Sequence, residues 1–149
     1  GFRERHEAVI KLFGESTTTF LVICAPTEPS VAVARYFLDE LGEREMPCAG
    51  VIANQVHICA GTDVDPHEVL GPMLSSSSEG LNPHTGSQLL ARLGAAHRRL
   101  VGLAQAEEDL IASIRGRMSG QSRLWRVPRF EGEVHDLTAL DKVGGALSR

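Results

Sequence analysis

The sequence predicts an α/β fold, a mostly parallel sheet of about three strands flanked by helices. Three observations carry that expectation. Residues 17–25 and 48–56 are apolar and β-branched almost throughout, the pattern of strands buried on both faces of a parallel sheet. A helical pattern lies between them, so the three segments form a βαβ unit with parallel strands and a right-handed crossover. Amphipathic helical segments before and after this unit supply the covering layers.

The elements follow in order. Over residues 3–13, Ala8, Val9, Leu12 and Phe13 fall at helical spacing, and Gly14 stops the helix. The first strand follows, and Pro26 and Pro29 break it. Thr27 or Ser30 caps the next helix, in which Val31, Ala34, Phe37, Leu38 and Leu41 lead to Gly42. Pro47 precedes the second strand. Residues 57–87 hold Pro66, Pro72, Pro83, several glycines and a serine run at 75–78. They read as one long loop, mobile around the serines.

Residues 87–118 are helical. Leu89, Leu93, Ala96, Leu100, Leu103, Leu110 and Ile114 alternate by four and three, and Glu107 interrupts the stripe. Such a helix either packs on the sheet or offers a partner-binding, dimerising face. Residues 122–128 alternate as a third strand, which Pro128 ends. A turn over 129–132 leads to a last helix over 133–147, with Val134, Leu137, Leu140, Val143 and Leu147 on one face.

Composition bounds the function. The 149 residues are enough for one domain with a real core, and 42% hydrophobic with 23% charged residues is ordinary for a globular chain. The net charge of −4 argues against a nucleic-acid partner, which needs a basic face. No apolar run reaches the roughly 20 residues of a membrane span, and no apolar signal core opens the chain. The three cysteines form no CxxC pair, so a reducing cytoplasm is the expected location. The opening in mid-helix without Met leads us to expect a piece of a longer protein.

In an open α/β sheet, ligands bind beyond the carboxyl ends of the strands. Asn54 ends an otherwise apolar strand there. A carboxamide offers donors and an acceptor that match the N6/N7 edge of adenine, or it can satisfy nearby loop backbone. No G-x-x-x-x-G-K-[ST] phosphate loop, G-x-G-x-x-G fingerprint or G-x-S-x-G elbow occurs. His57, Cys59, Asp63, Asp65 and His67 cluster in sequence, but their spacing fits no standard metal motif, and no metal is expected.

Three segments resemble, in order, the ArsA family, the arsenite-pump ATPases and the related ATPases that target tail-anchored membrane proteins. These are Thr18–Ile23 with the helix Ala34–Leu41, the strand Gly50–Val56 with its Asn, and Val127–Leu137. The match covers both ends of the chain well and residues 57–120 poorly. The resemblance implies a P-loop NTPase-type fold without its P-loop, a C-terminal portion of a larger ATPase. It implies ATP or ADP as ligand, with Asn54 on adenine and with Pro128, Arg129, Phe130 and Val134 around base and ribose. Glu28 is the counterpart of an acidic residue that functions in some members, at a spacing from Phe20 one residue longer. The family's P-loop, switch residues, catalytic Asp and Mg²⁺ site lie in a part that this sequence does not contain, so no hydrolysis by this chain alone is expected. The CxxC zinc pair of the targeting branch is absent. The resemblance further implies a homo-oligomer or a dimer with a paralogue, and a membrane protein as partner of the parent ATPase. Three strands out of a larger sheet leave an edge exposed, so self-association or aggregation is expected.

The alternative is a non-enzymatic interaction or dimerisation module. In that case the stripe over 89–114 is the working surface and Asn54 is structural.

Overall fold

The structure, a computed structural model, describes residues 1–59, 65–76, 83–132 and 134–148. Its elements are α1 (Phe2–Phe13), β1 (Phe20–Cys24), α2 (Glu28–Glu43), β2 (Cys48–Val56), α3 (Pro66–Ser76), α4 (Pro83–Arg115), β3 (Arg123–Pro128) and α5 (Leu137–Leu147). The chain forms two compact units, one of residues 1–56 with 107–149 and the other of residues 57–106.

The first unit is α/β. Its sheet has the order β1-β2-β3, and both pairings are parallel, as the sequence predicts. Phe20 pairs with Cys48 and Leu21 with Gly50, so Ala49 is an extra residue in β2. Gly50, at φ 154°, then comes against the backbone of Arg123 on β3. A Cβ at Gly50 would sit 1.9 Å from the Arg123 carbonyl oxygen, so only glycine lets the two strands close here.

The main core lies on one face of the sheet. Cys24, Val31, Ala34, Leu38, Val51 and Ile114 are buried together, and Ala53, Val56 and Ile111 form a second cluster, with Leu124 packed against both. Thus α2 and the last turns of α4 cover the sheet. Arg126 of β3 ties into that cover with a two-pronged pair to Glu108, its Nε donating to Oε2 at 3.0 Å. The hydrogen-bonded Glu108 carboxylate pushes the Arg126 guanidinium further up. Arg117 likewise pairs with Asp39 of α2.

Several expectations are corrected. β1 is not buried on both faces: Leu21 is 46% and Ile23 63% exposed, whereas Cys24, on the alternate face, is buried against Val31, Ala34 and Leu38 of α2. The last helix begins at Leu137, where the Asp136 carboxylate accepts the Ala139 N–H at 2.7 Å, so Val134 precedes the helix. Residues 57–87 are not one long loop. Asp65 accepts the His67 N–H at 2.9 Å and α3 starts at Pro66, while Pro83 opens α4. Proline breaks a helix interior but suits its first position, where no N–H is needed. Of the serine run, Ser77 and Ser78 lie outside the described residues.

In the second unit α3 and α4 approach closely at Gly94, where a Cβ would meet the His67 ring at 3.4 Å. The side of α4 that is shielded here runs through Leu90, Gly94, His97, Val101 and Ala104, one residue out of step with the leucine stripe. Leu89, Leu93, Leu100 and Leu103 are exposed. Glu107, expected to interrupt the buried stripe, is itself only 6% exposed.

Burial pushes the Cys24 thiol up from its ordinary value. The folded chain therefore favours the protonated thiol. That contribution is whole below the unfolded thiol pKa of about 8.5 and is lost as pH rises through the raised value. Urea unfolding midpoints measured on both sides of that range are expected to fall less steeply in Cys24→Ala than in the wild type. Equal alkaline slopes would refute the assignment.

Candidate functional site

β2 and β3 end side by side, and both ends are locally shaped. At its end the β2–β3 ladder passes from Asn54 opposite Val127 to Val56 opposite Pro128, which leaves Gln55 as an extra residue. Gln55 adopts φ 63°, in the left-handed region. That conformation costs a non-glycine residue about 1–3 kcal/mol and recurs at functional sites. The Gln55 N–H donates to the Asn54 side-chain Oδ1 at 3.0 Å. The carboxamide is thereby oriented: one Oδ1 lone pair is engaged, and the other lone pair and both Nδ2 hydrogens are not used by this bond. Beyond β3, the Arg129 N–H donates to the Val56 carbonyl at 2.9 Å, which holds the departing loop against the end of β2.

Between these ends lies a cavity of about 720 Å³, within the size range of small-molecule sites. Asn54 and Gln55 form one wall. Val127, Pro128, Arg129, Phe130, Glu131 and Gly132 form another, and Val134, His135 and Val143 complete the lining. Phe130 is partly buried, whereas Arg129, Val134 and His135 are exposed. The apolar lining comes from Val127, Pro128, Phe130, Val134 and Val143. The polar groups comprise two amides, one guanidinium, one carboxylate and one imidazole. This set suits a flat heteroaromatic ring with polar edges and an anionic extension. The position, beyond the carboxyl ends of parallel strands, is where open α/β sheets bind ligands.

Five of the six residues singled out in the sequence, Asn54, Pro128, Arg129, Phe130 and Val134, line this one cavity. Glu28 does not. It is the first residue of α2, where its carboxylate pairs with Arg35 at 3.2 Å. The sequence does not single out Gln55, Glu131, His135 and Val143, which also line the cavity. For Gln55 no signal existed, because its left-handed backbone is unusual for its residue type. Val143 reads from the sequence as part of the apolar face of the last helix, and it reaches the cavity only because that helix packs beside β3. Of the residues considered for a metal, Asp63 lies outside the described ones. Among the described residues no three His, Cys, Asp or Glu side chains group to hold an ion. Among them, too, no helix is long and apolar enough to cross a membrane.

The chain matches no protein-family model and no curated protein sequence.

Proposed function

We propose that this chain is the adenine-side portion of an ArsA-type ATPase with a P-loop NTPase-type fold, and that it binds ATP or ADP without hydrolysing it alone. The observation that carries the reading is the convergence of Asn54 with Pro128, Arg129, Phe130 and Val134 on one cavity. The donor set fits the ligand. The amide of Asn54 meets the polar edge of adenine, and Phe130 with Pro128 and Val134 encloses its faces. Arg129 lies beside the base and ribose on this reading. Phosphoryl transfer rests on positioning and charge neutralisation by a phosphate loop, Mg²⁺ and a catalytic Asp. The sequence has no Walker A motif, so those groups, the Mg²⁺ included, belong to residues outside 1–149. On this reading the parent works in the cytoplasm as a homodimer or paralogue pair, coupling its ATP cycle to a membrane-protein partner.

Isothermal titration with ATP and ADP tests the reading. Binding of both nucleotides is expected, together with ATP turnover no faster than buffer. Asn54→Ala should weaken both by about 1–3 kcal/mol, the range for a lost base-edge contact. Glu28→Gln should leave them unchanged. Absence of nucleotide binding to the wild-type chain would overturn the reading.

The exposure of Leu89, Leu93, Leu100 and Leu103 favours a second reading, an interaction module that works through α4. It calls for no nucleotide binding, and for association that Leu100→Glu abolishes.

A further inference from the structure

Gln55 holds an unusual backbone between neighbours that are fixed on both sides. It stands at φ 63°, and it is the extra residue between Asn54, opposite Val127, and Val56, opposite Pro128. The Val56 carbonyl also accepts the Arg129 N–H at 2.9 Å. The end of the ladder thus clamps the residues before and after Gln55, and a left-handed non-glycine residue persists only where its surroundings hold it so. In that conformation the Gln55 N–H donates to Asn54 Oδ1 at 3.0 Å. An N–H donates to the oxygen of an amide and never to its NH₂ group, so this bond fixes which end of the carboxamide is which. Both residues line the cavity beyond β2 and β3.

We propose that Gln55 is a positioning residue that makes the cavity select a 6-aminopurine over a 6-oxopurine, by locking the Asn54 carboxamide against a flip. The inference rests on the nucleotide reading above and names what decides the base. The adenine edge offers the N6 hydrogens and the N7 acceptor, which pair with the second Oδ1 lone pair and with an Nδ2 hydrogen. A 6-oxopurine offers two acceptors there, O6 and N7, so its O6 meets Oδ1 lone pair to lone pair. An unrestrained asparagine relieves that clash by turning its amide over and presenting Nδ2 to O6. Here the flip would set the Nδ2 hydrogens against the Gln55 N–H, donor against donor, and leave that N–H without its acceptor. Asn54 supplies the pairing groups, and the backbone of Gln55 denies the alternative. Because the lock uses the main chain, the side chain at position 55 does not discriminate.

Isothermal titration with ATP and with ITP, its 6-oxo counterpart, tests it. The two share ribose and phosphates, so every contact to those groups cancels in the ratio of their affinities. ATP is expected to bind about 5- to 150-fold tighter, the span of a good bidentate base contact. Gln55→Gly keeps the N–H and accepts a positive φ, so it should keep that ratio. Replacing the peptide link between residues 54 and 55 by an ester removes the N–H and leaves both side chains. In that form, and in Asn54→Ala, the ratio should fall towards one. A merely structural defect would weaken both nucleotides alike and leave the ratio where it was. Equal affinities in the wild type, a ratio kept in the ester form, or a ratio lost in Gln55→Gly would each overturn the proposal while the nucleotide reading stands. Binding of neither nucleotide would overturn both. The wild-type ratio can refute the proposal by itself, so the test survives a poorly folding variant.

Discussion

Gly50→Ala is expected to abolish or nearly abolish the cooperative unfolding transition, the largest effect of an added methyl at any described glycine. The added Cβ meets backbone, not a side chain that can move aside: 1.9 Å from the Arg123 carbonyl oxygen and 2.8 Å from its nitrogen and carbonyl carbon. At φ 154° an L side chain is also strained by its own backbone. Relief requires β2 and β3 to separate at Gly50↔Arg123, where their ladder begins. A cost of about 4 kcal/mol or more is expected, in the exceptional tail of single substitutions. Small domains have only about 5–15 kcal/mol in total. Gly42→Ala is the control. A Cβ there meets nothing within 4 Å, and the position is inside α2. It should be neutral or stabilising by up to about 1 kcal/mol. Urea unfolding of the two variants measures both, and a Gly50→Ala protein within about 1 kcal/mol of wild type would refute the close approach of the strands.

Ile111→Ala is expected to cost about 2–5 kcal/mol, whereas Leu100→Ala should cost under about 0.5 kcal/mol. Both lie on α4 and both are large aliphatic residues. Ile111 is wholly buried against Ala53 and Val56 of β2. Removing its side chain leaves a void that the sheet and helix backbone cannot close. Leu100 is 50% exposed, so truncation mostly removes surface already in water. The leucine spacing ranks the pair in the opposite order, since Leu100 is on the stripe and Ile111 is off it. Chemical denaturation of the two variants decides between periodicity and observed burial, and equal costs would contradict the structure.

Much of the architecture was legible in the residues. Cys48–Val56 was bounded correctly because its nine residues are nearly all apolar or small and Pro47 marks the start. The parallel sheet followed from a helix lying between two apolar strands. The helix over Pro66–Ser76 is not legible in the sequence, because Pro66 and Pro72 read as breaks. Whether proline ends or opens a helix depends on what caps it, here Asp65. At the candidate site, pattern and resemblance point to Asn54 and to residues at and after the end of β3, which line one cavity. The cavity that joins them is not legible in the sequence, because it depends on the Arg129–Val56 hydrogen bond and on the packing of α5 beside β3.

By itself the sequence determined the type of each element except α3, the parallel sheet and the polar end of β2. These rest on local periodicity and backbone preference, which act over a few neighbouring residues. Tertiary structure alone decided which side of α4 is buried, since both candidate stripes are compatible with a helix and only the packed neighbours choose. It decided that Leu21 and Ile23 are exposed, because a strand's sequence does not say which of its faces the helices cover. It also decided that Gln55 takes a left-handed turn and pins Asn54, because strain of that kind persists only where surrounding packing and hydrogen bonds outweigh it.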